Sequence, residues 1–159
     1  MKKIILLLLL LNNCGTNKRP NTDFDFITNS GIRIKLSPIM NNLTSEEVGD
    51  WTNSIVDFWC SKKDWNEAEI RKELRTVDVL LYDEYYVVAD GIIGVAITRY
   101  NNEIIISTLP KPSSNITPYE KVKSLYRHEL SHIIVGKMAT IPYTELAHHK
   151  LFEEVGLGA

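Results

Sequence analysis

The chain has no surplus of positive charge. Its 18 Lys and Arg stand against 20 Asp and Glu, for a formal net charge of −2. No basic stripe runs along it, so the electrostatic footprint of a nucleic-acid binder is missing. Cysteine is nearly absent, with only Cys14 and Cys60, which leaves too little thiol for a structural metal site of the usual four-ligand, cysteine-rich kind. Long apolar runs are lacking as well. The one continuous run, residues 4–11, has eight members, whereas a helix needs about 20 to cross a hydrocarbon core. Histidine is scarce, and all four copies fall between residues 128 and 149. No segment repeats. What remains is ordinary: 159 residues, 44% hydrophobic and 24% charged, enough for one domain with a real core.

At the N-terminus, Lys2 and Lys3 precede the apolar run, and Asn12, Asn13, Cys14 and Gly15 follow it. This is the order of a basic region, an apolar region and a cleavage zone in an export signal. With Leu11 three places before Cys14, the segment resembles a bacterial lipoprotein signal. That resemblance implies removal of residues 1–13, a lipid on Cys14, and a membrane-anchored protein facing the periplasm or the cell exterior. Ordinary cleavage, with Cys14 lost or left as a thiol, is the alternative. Residues 14–30 are mostly polar and are expected to form the lipidated cysteine and a tether, leaving residues 31–159 as the folded domain. Cys60, beside Trp59 on a helix, is expected to be an inert, buried thiol.

Ile32, Ile34 and Leu36 alternate with Arg33 and Lys35, the period of a half-buried strand. Thr44 and Glu47 form a capping box ahead of Val48, Trp51, Ile55, Phe58 and Trp59 at helical spacing, which predicts a helix whose aromatic residues face the core. Asp64 and Glu67 suggest a second box and a short helix to about Arg75. Residues 77–81, 85–89, 92–98 and 103–108 are β-prone, and Asn101-Asn102 is placed to close a hairpin. Thr117, Pro118 and Glu120 start another helix, expected to end near Val135 with Gly136 as terminator. A last helix is predicted over 143–155, stopped by Gly156. The order is that of an α+β fold, a small mixed or antiparallel sheet packed on helices.

The chemistry concentrates at His128-Glu129-Leu130-Ser131-His132. Four residues apart on a helix, His128 and His132 share one face and can reach one ion. Imidazole is a good ligand for Zn2+. Glu129 points roughly 100° away from His128, so it is better placed to take a proton from a water bound at the metal than to bind the metal itself. The flanking residues Leu125, Tyr126, Leu130, Ser131, Ile133 and Ile134 carry no charge, as a half-buried helix requires. A catalytic zinc takes a third protein ligand. His148 and His149, on the returning helix, are the candidates. His148 is favoured because Phe152, one turn on, would seat that face against the core. Glu153 or Glu154 is a further option. Tyr126, Tyr143 and the spare histidine are candidate oxyanion stabilisers.

At these residues the chain resembles the zincin metallopeptidases, over about residues 92–156. The resemblance implies a zincin-like fold with an HExxH active-site helix, zinc on the histidine pair, Glu129 as catalytic acid and base, a peptide or protein substrate, and pairing of extended substrate with a strand before the helix, loosely 103–108. The longer motif with a glycine and a third histidine close by is absent, since Gly136 falls one place late. The reading is therefore a zinc-dependent hydrolase, most simply a peptidase. The alternative is a non-catalytic, membrane-anchored lipoprotein that uses a zincin-like fold to bind a partner. Glu129 favours the first, because a binding protein has no chemical need for it.

Overall fold

A computed structural model describes residues 23–84, 86–87, 93–94, 96–99, 102–109, 115–139 and 145–157. The expected signal segment, Cys14, the first part of the tether, Asn101 and Tyr143 lie outside the described residues.

The chain begins as a sheet earlier than the sequence pattern indicated. Residues 23–30, expected as the end of a tether, carry strand β1 (Phe26–Ile27), antiparallel to β2 (Arg33–Lys35). Gly31 makes this turn possible. Its φ of +83° suits glycine, and a Cβ there would press against Arg75 at about 3.1 Å. The chain then passes through a short 3-10 turn (Pro38–Met40), α1 (Ser45–Lys63) and α2 (Glu67–Leu74) before β3 (Asp78–Tyr82) pairs in parallel with β2. Strands β4 (Tyr86–Val87) and β5 (Ile93–Gly94) form a separate antiparallel pair. Next come β6 (Ala96–Arg99) and β7 (Glu103–Ser107), an antiparallel pair turned near Asn102, whose φ is +62°. Two helices close the order, α3 (Pro118–Met138) and α4 (Glu145–Val155).

Among the described residues the main sheet is five-stranded and mixed, in the order β1-β2-β3-β7-β6. The fold is α+β, with four helices beside this sheet. Alternation sorts the strands: Ile34, Val79, Leu81, Ile104 and Ile106 join the core cluster with residues from α1, α2 and α3. The aromatic residues of α1 do face inward, with Trp59 fully buried and Trp51 nearly so. Burying a side chain of this size contributes about 2–3 kcal/mol.

Two helix ends differ from expectation. Asp64 does not start α2; it ends α1 in a left-handed conformation (φ +54°) while its N–H bonds Cys60 O. Asn66 is the cap of α2, accepting from Glu69 N–H. Helix α3 also runs past Gly136 to Met138, because Met138 and Ala139 still pack against the core. Gly156 does stop α4, with φ +77°.

Across the β2, β3, β7 and β6 register, Arg33, Asp78, Glu103 and Arg99 form one charged row. Arg33 grips Asp78 through two bonds of 2.7 Å, and Arg99 bonds Glu103 at 2.8 Å. This pairing lets two nearly buried carboxylates sit side by side in the sheet.

Candidate metal centre

Helix α3 is built to hold its middle turn firmly. Thr117 accepts from Glu120 N–H, and the Glu120 side chain returns to Thr117, so the capping box forms as predicted. Val122, Tyr126, Leu130, Ile133 and Ile134 are buried at steps of three and four, which presses one face of the helix onto β6, β7 and α1. Ser131 ties this turn to α1: Trp59 Nε1–H donates to Ser131 Oγ at 2.9 Å, and Ser131 in turn donates to Arg127 O.

On this support, His128 and His132 stand one turn apart with their Nε2 atoms 3.2 Å from each other. Helix α4 returns alongside α3 and brings His149 Nε2 to 3.2 Å from His128 Nε2. The ligand atoms of His128, His132 and His149 all lie within 4.8 Å of one another, close enough to hold one metal ion. Phe152 forms the floor, with its ring centroid 4.8 Å from that of His132, 5.3 Å from His128 and 5.9 Å from His149.

The sequence favours His148 as the third ligand, but His149 is the one that joins the group. Neighbouring helical residues point about 100° apart, so α4 brings the two against different sides of the pair on α3. Phe152 lies three residues from His149 and settles under the cluster. His148 lies instead behind His132. It is 1% exposed, stacked on the His132 ring at 5.4 Å, and the two Nδ1 atoms are 3.1 Å apart. Glu153 and Glu154 are exposed and belong to no group of converging ligands among the described residues.

The electrostatics favour neutral rings at His132 and His148. Burial first, then repulsion from His128, His148 and His149, pushes the pKa of His132 down to about 3. Burial, with His149 beside it, also lowers that of His148. Neutral imidazole is the form that ligates metals.

Glu129 is nearly buried, and its carboxylate Oε2 accepts from Thr98 Oγ1 at 2.6 Å. The same hydroxyl lies 3.0 Å from Glu129 O. Thr98 was not singled out from the sequence. Its signal was a polar residue at an inward position of β6, between outward Ile97 and Arg99.

Three expectations need correction. Strand β7 (Glu103–Ser107) cannot accept an extended substrate, because β3 and β6 flank it on both sides; among the described residues β6 ends the sheet order on this side. Tyr126 is no oxyanion donor. Its hydroxyl is buried against Thr52 Oγ1 at 2.7 Å, and burial raises its pKa. Cys60 is half-buried rather than buried, though burial does raise its thiol pKa in keeping with low reactivity. A groove of about 370 Å³ between α1 and α3, lined by Trp51, Ile55, Lys123 and Arg127, contains none of the histidines. No helix among the described residues is long and apolar enough to cross a membrane. No protein-family model, curated protein or solved structure matches the chain.

Proposed function

We propose that this protein is a zinc-dependent hydrolase of the zincin kind, most simply a peptidase, with His128, His132 and His149 as metal ligands and Glu129 as general acid and base. The observation that carries the reading is the spacing of the three histidines. Nitrogens bound tetrahedrally to one zinc at about 2.0–2.1 Å stand about 3.3–3.4 Å apart. The two Nε2 separations of 3.2 Å already match that spacing. Three nitrogen ligands with a fourth position left for water or substrate is the donor set of a catalytic zinc rather than a structural one.

A zinc ion bound here would polarise a substrate carbonyl and acidify a water. The chain's own residues supply the rest. Glu129, turned about 100° from His128 on the same helix, takes a proton as water attacks the carbonyl carbon, then returns it to the leaving amine as the C–N bond breaks. His132 is held through Nδ1 by His148, which fixes its ring so that Nε2 faces the centre. Phe152 keeps the floor apolar and limits water around the ligands. Strand β6, last in the sheet order among the described residues, would offer its edge to an extended peptide chain. Export and a lipid on Cys14 complete the proposal and would put this chemistry at a membrane surface.

The test is Glu129→Gln against a peptide library. The variant should retain zinc and lose hydrolysis by a factor of about a hundred or more. Equal loss of zinc, or undiminished hydrolysis, would remove Glu129 from the role.

A further inference from the structure

We infer that Thr98 is a positioning residue for Glu129, holding its carboxylate at a fixed angle from the edge strand of the sheet; the inference rests on the hydrolase reading. A glutamate on a helix has three rotatable side-chain bonds, of which the helical backbone restricts chiefly the first. Here the far end of the side chain is held from another element. Thr98 Oγ1 is 2.6 Å from Glu129 Oε2 and 3.0 Å from Glu129 O. A hydroxyl has one proton, and the shorter contact has the length of an O–H···O⁻ bond to a charged acceptor. The proton therefore goes to the carboxylate, with the carbonyl a weaker second acceptor. A carboxylate anchored through one oxygen has fewer directions open to the other.

Thr98 suits this task. Its β-branched side chain is stiff about χ1. Its position is fixed by pairing with Ile104, a fully buried residue of β7. The alternation of β6 turns Ile97 and Arg99 to solvent and Thr98 toward α3. The same strand would pair with a peptide substrate, so the group that aligns Glu129 and the group that aligns the peptide share one backbone.

Two variants separate this role from packing. Thr98→Val keeps the shape and removes the hydroxyl; Thr98→Ser keeps the hydroxyl. In the full chain, both should retain wild-type zinc content. Thr98→Val should lower kcat by about tenfold to a hundredfold with KM nearly unchanged, since misplacing a catalytic group costs this much. Thr98→Ser should recover to within a few-fold. Crystal structures give a readout independent of activity: Glu129 Oε2 should stay in place in Thr98→Ser and leave it in Thr98→Val. Unmoved Glu129 with unchanged kcat in Thr98→Val, or equal damage in Thr98→Ser, would overturn the inference. A wild-type chain that binds zinc and hydrolyses nothing would end the hydrolase reading instead, and the Glu129 position in the two variant structures would still decide whether Thr98 orients it.

Discussion

Replacing His148 and His149 in turn should produce two different kinds of zinc loss. His132 can bind a metal through Nε2 only if its proton sits on Nδ1. That proton points at His148 Nδ1, 3.1 Å away in a buried setting. His148→Ala leaves the N–H without its acceptor, which costs about 1–3 kcal/mol. The result is a drop in zinc affinity of about 10- to 100-fold, the range usual for a residue supporting a ligand. His148→Gln supplies an amide oxygen in place of the ring nitrogen and should recover most of this. His149→Ala would remove a proposed ligand outright. In four-ligand structural zinc sites about 10–16 kcal/mol of binding comes to about 2.5–4 kcal/mol per ligand, and losing a ligand of that worth weakens binding roughly 60- to 700-fold. Competition of each folded variant against a chromophoric chelator measures all three. A glutamine no better than alanine at 148 would remove His148 from the supporting role, and a milder effect at 149 than at 148 would refute the ligand assignment.

Other outcomes follow from the same geometry. Trp59→Phe should destabilise the fold by about 1–3 kcal/mol through the lost bond to Ser131 and the cavity left behind, read as a lower denaturation midpoint; an unchanged midpoint would deny that this bond braces α3. The pKa of His132 in the folded, metal-stripped protein is about 3, below the ordinary 6.5 to which it returns on unfolding. Below pH 6.5 the unfolded chain binds a proton that the folded one refuses, so stability is full above that pH and declines as pH falls toward 3. A melting temperature of the metal-stripped protein that holds level from pH 7 to pH 4 would contradict this. Cys14→Ser should move the protein from the membrane fraction to the soluble one, and continued partition into detergent would refute the lipid anchor.

The features legible in the sequence were the local ones. The capping boxes at Thr44/Glu47 and Thr117/Glu120 form as expected because both partners lie within one turn. The two histidines of α3 converge because helical spacing alone sets their separation. Asp64 was misplaced because an aspartate caps either end of a helix, and only the tertiary path of the chain made it the end of α1. Strand partners were not readable, since alternation tells which face is buried but not which strand lies alongside; hence β7 turned out to be internal and β6 the edge. The choice between His148 and His149 depended on the rotation of α4 about its axis, fixed by Phe152 packing among the rings of α3. Thr98 escaped notice because its partner lies on another element, 31 residues away.

The central claim is that three imidazoles bind one zinc, and the most direct test is elemental analysis of the full-length protein, purified with zinc supplied, beside His132→Ala. The wild type should hold about one zinc per chain and the variant almost none, with both folded. A wild-type protein that takes up no zinc, or a variant that keeps it, would contradict the account.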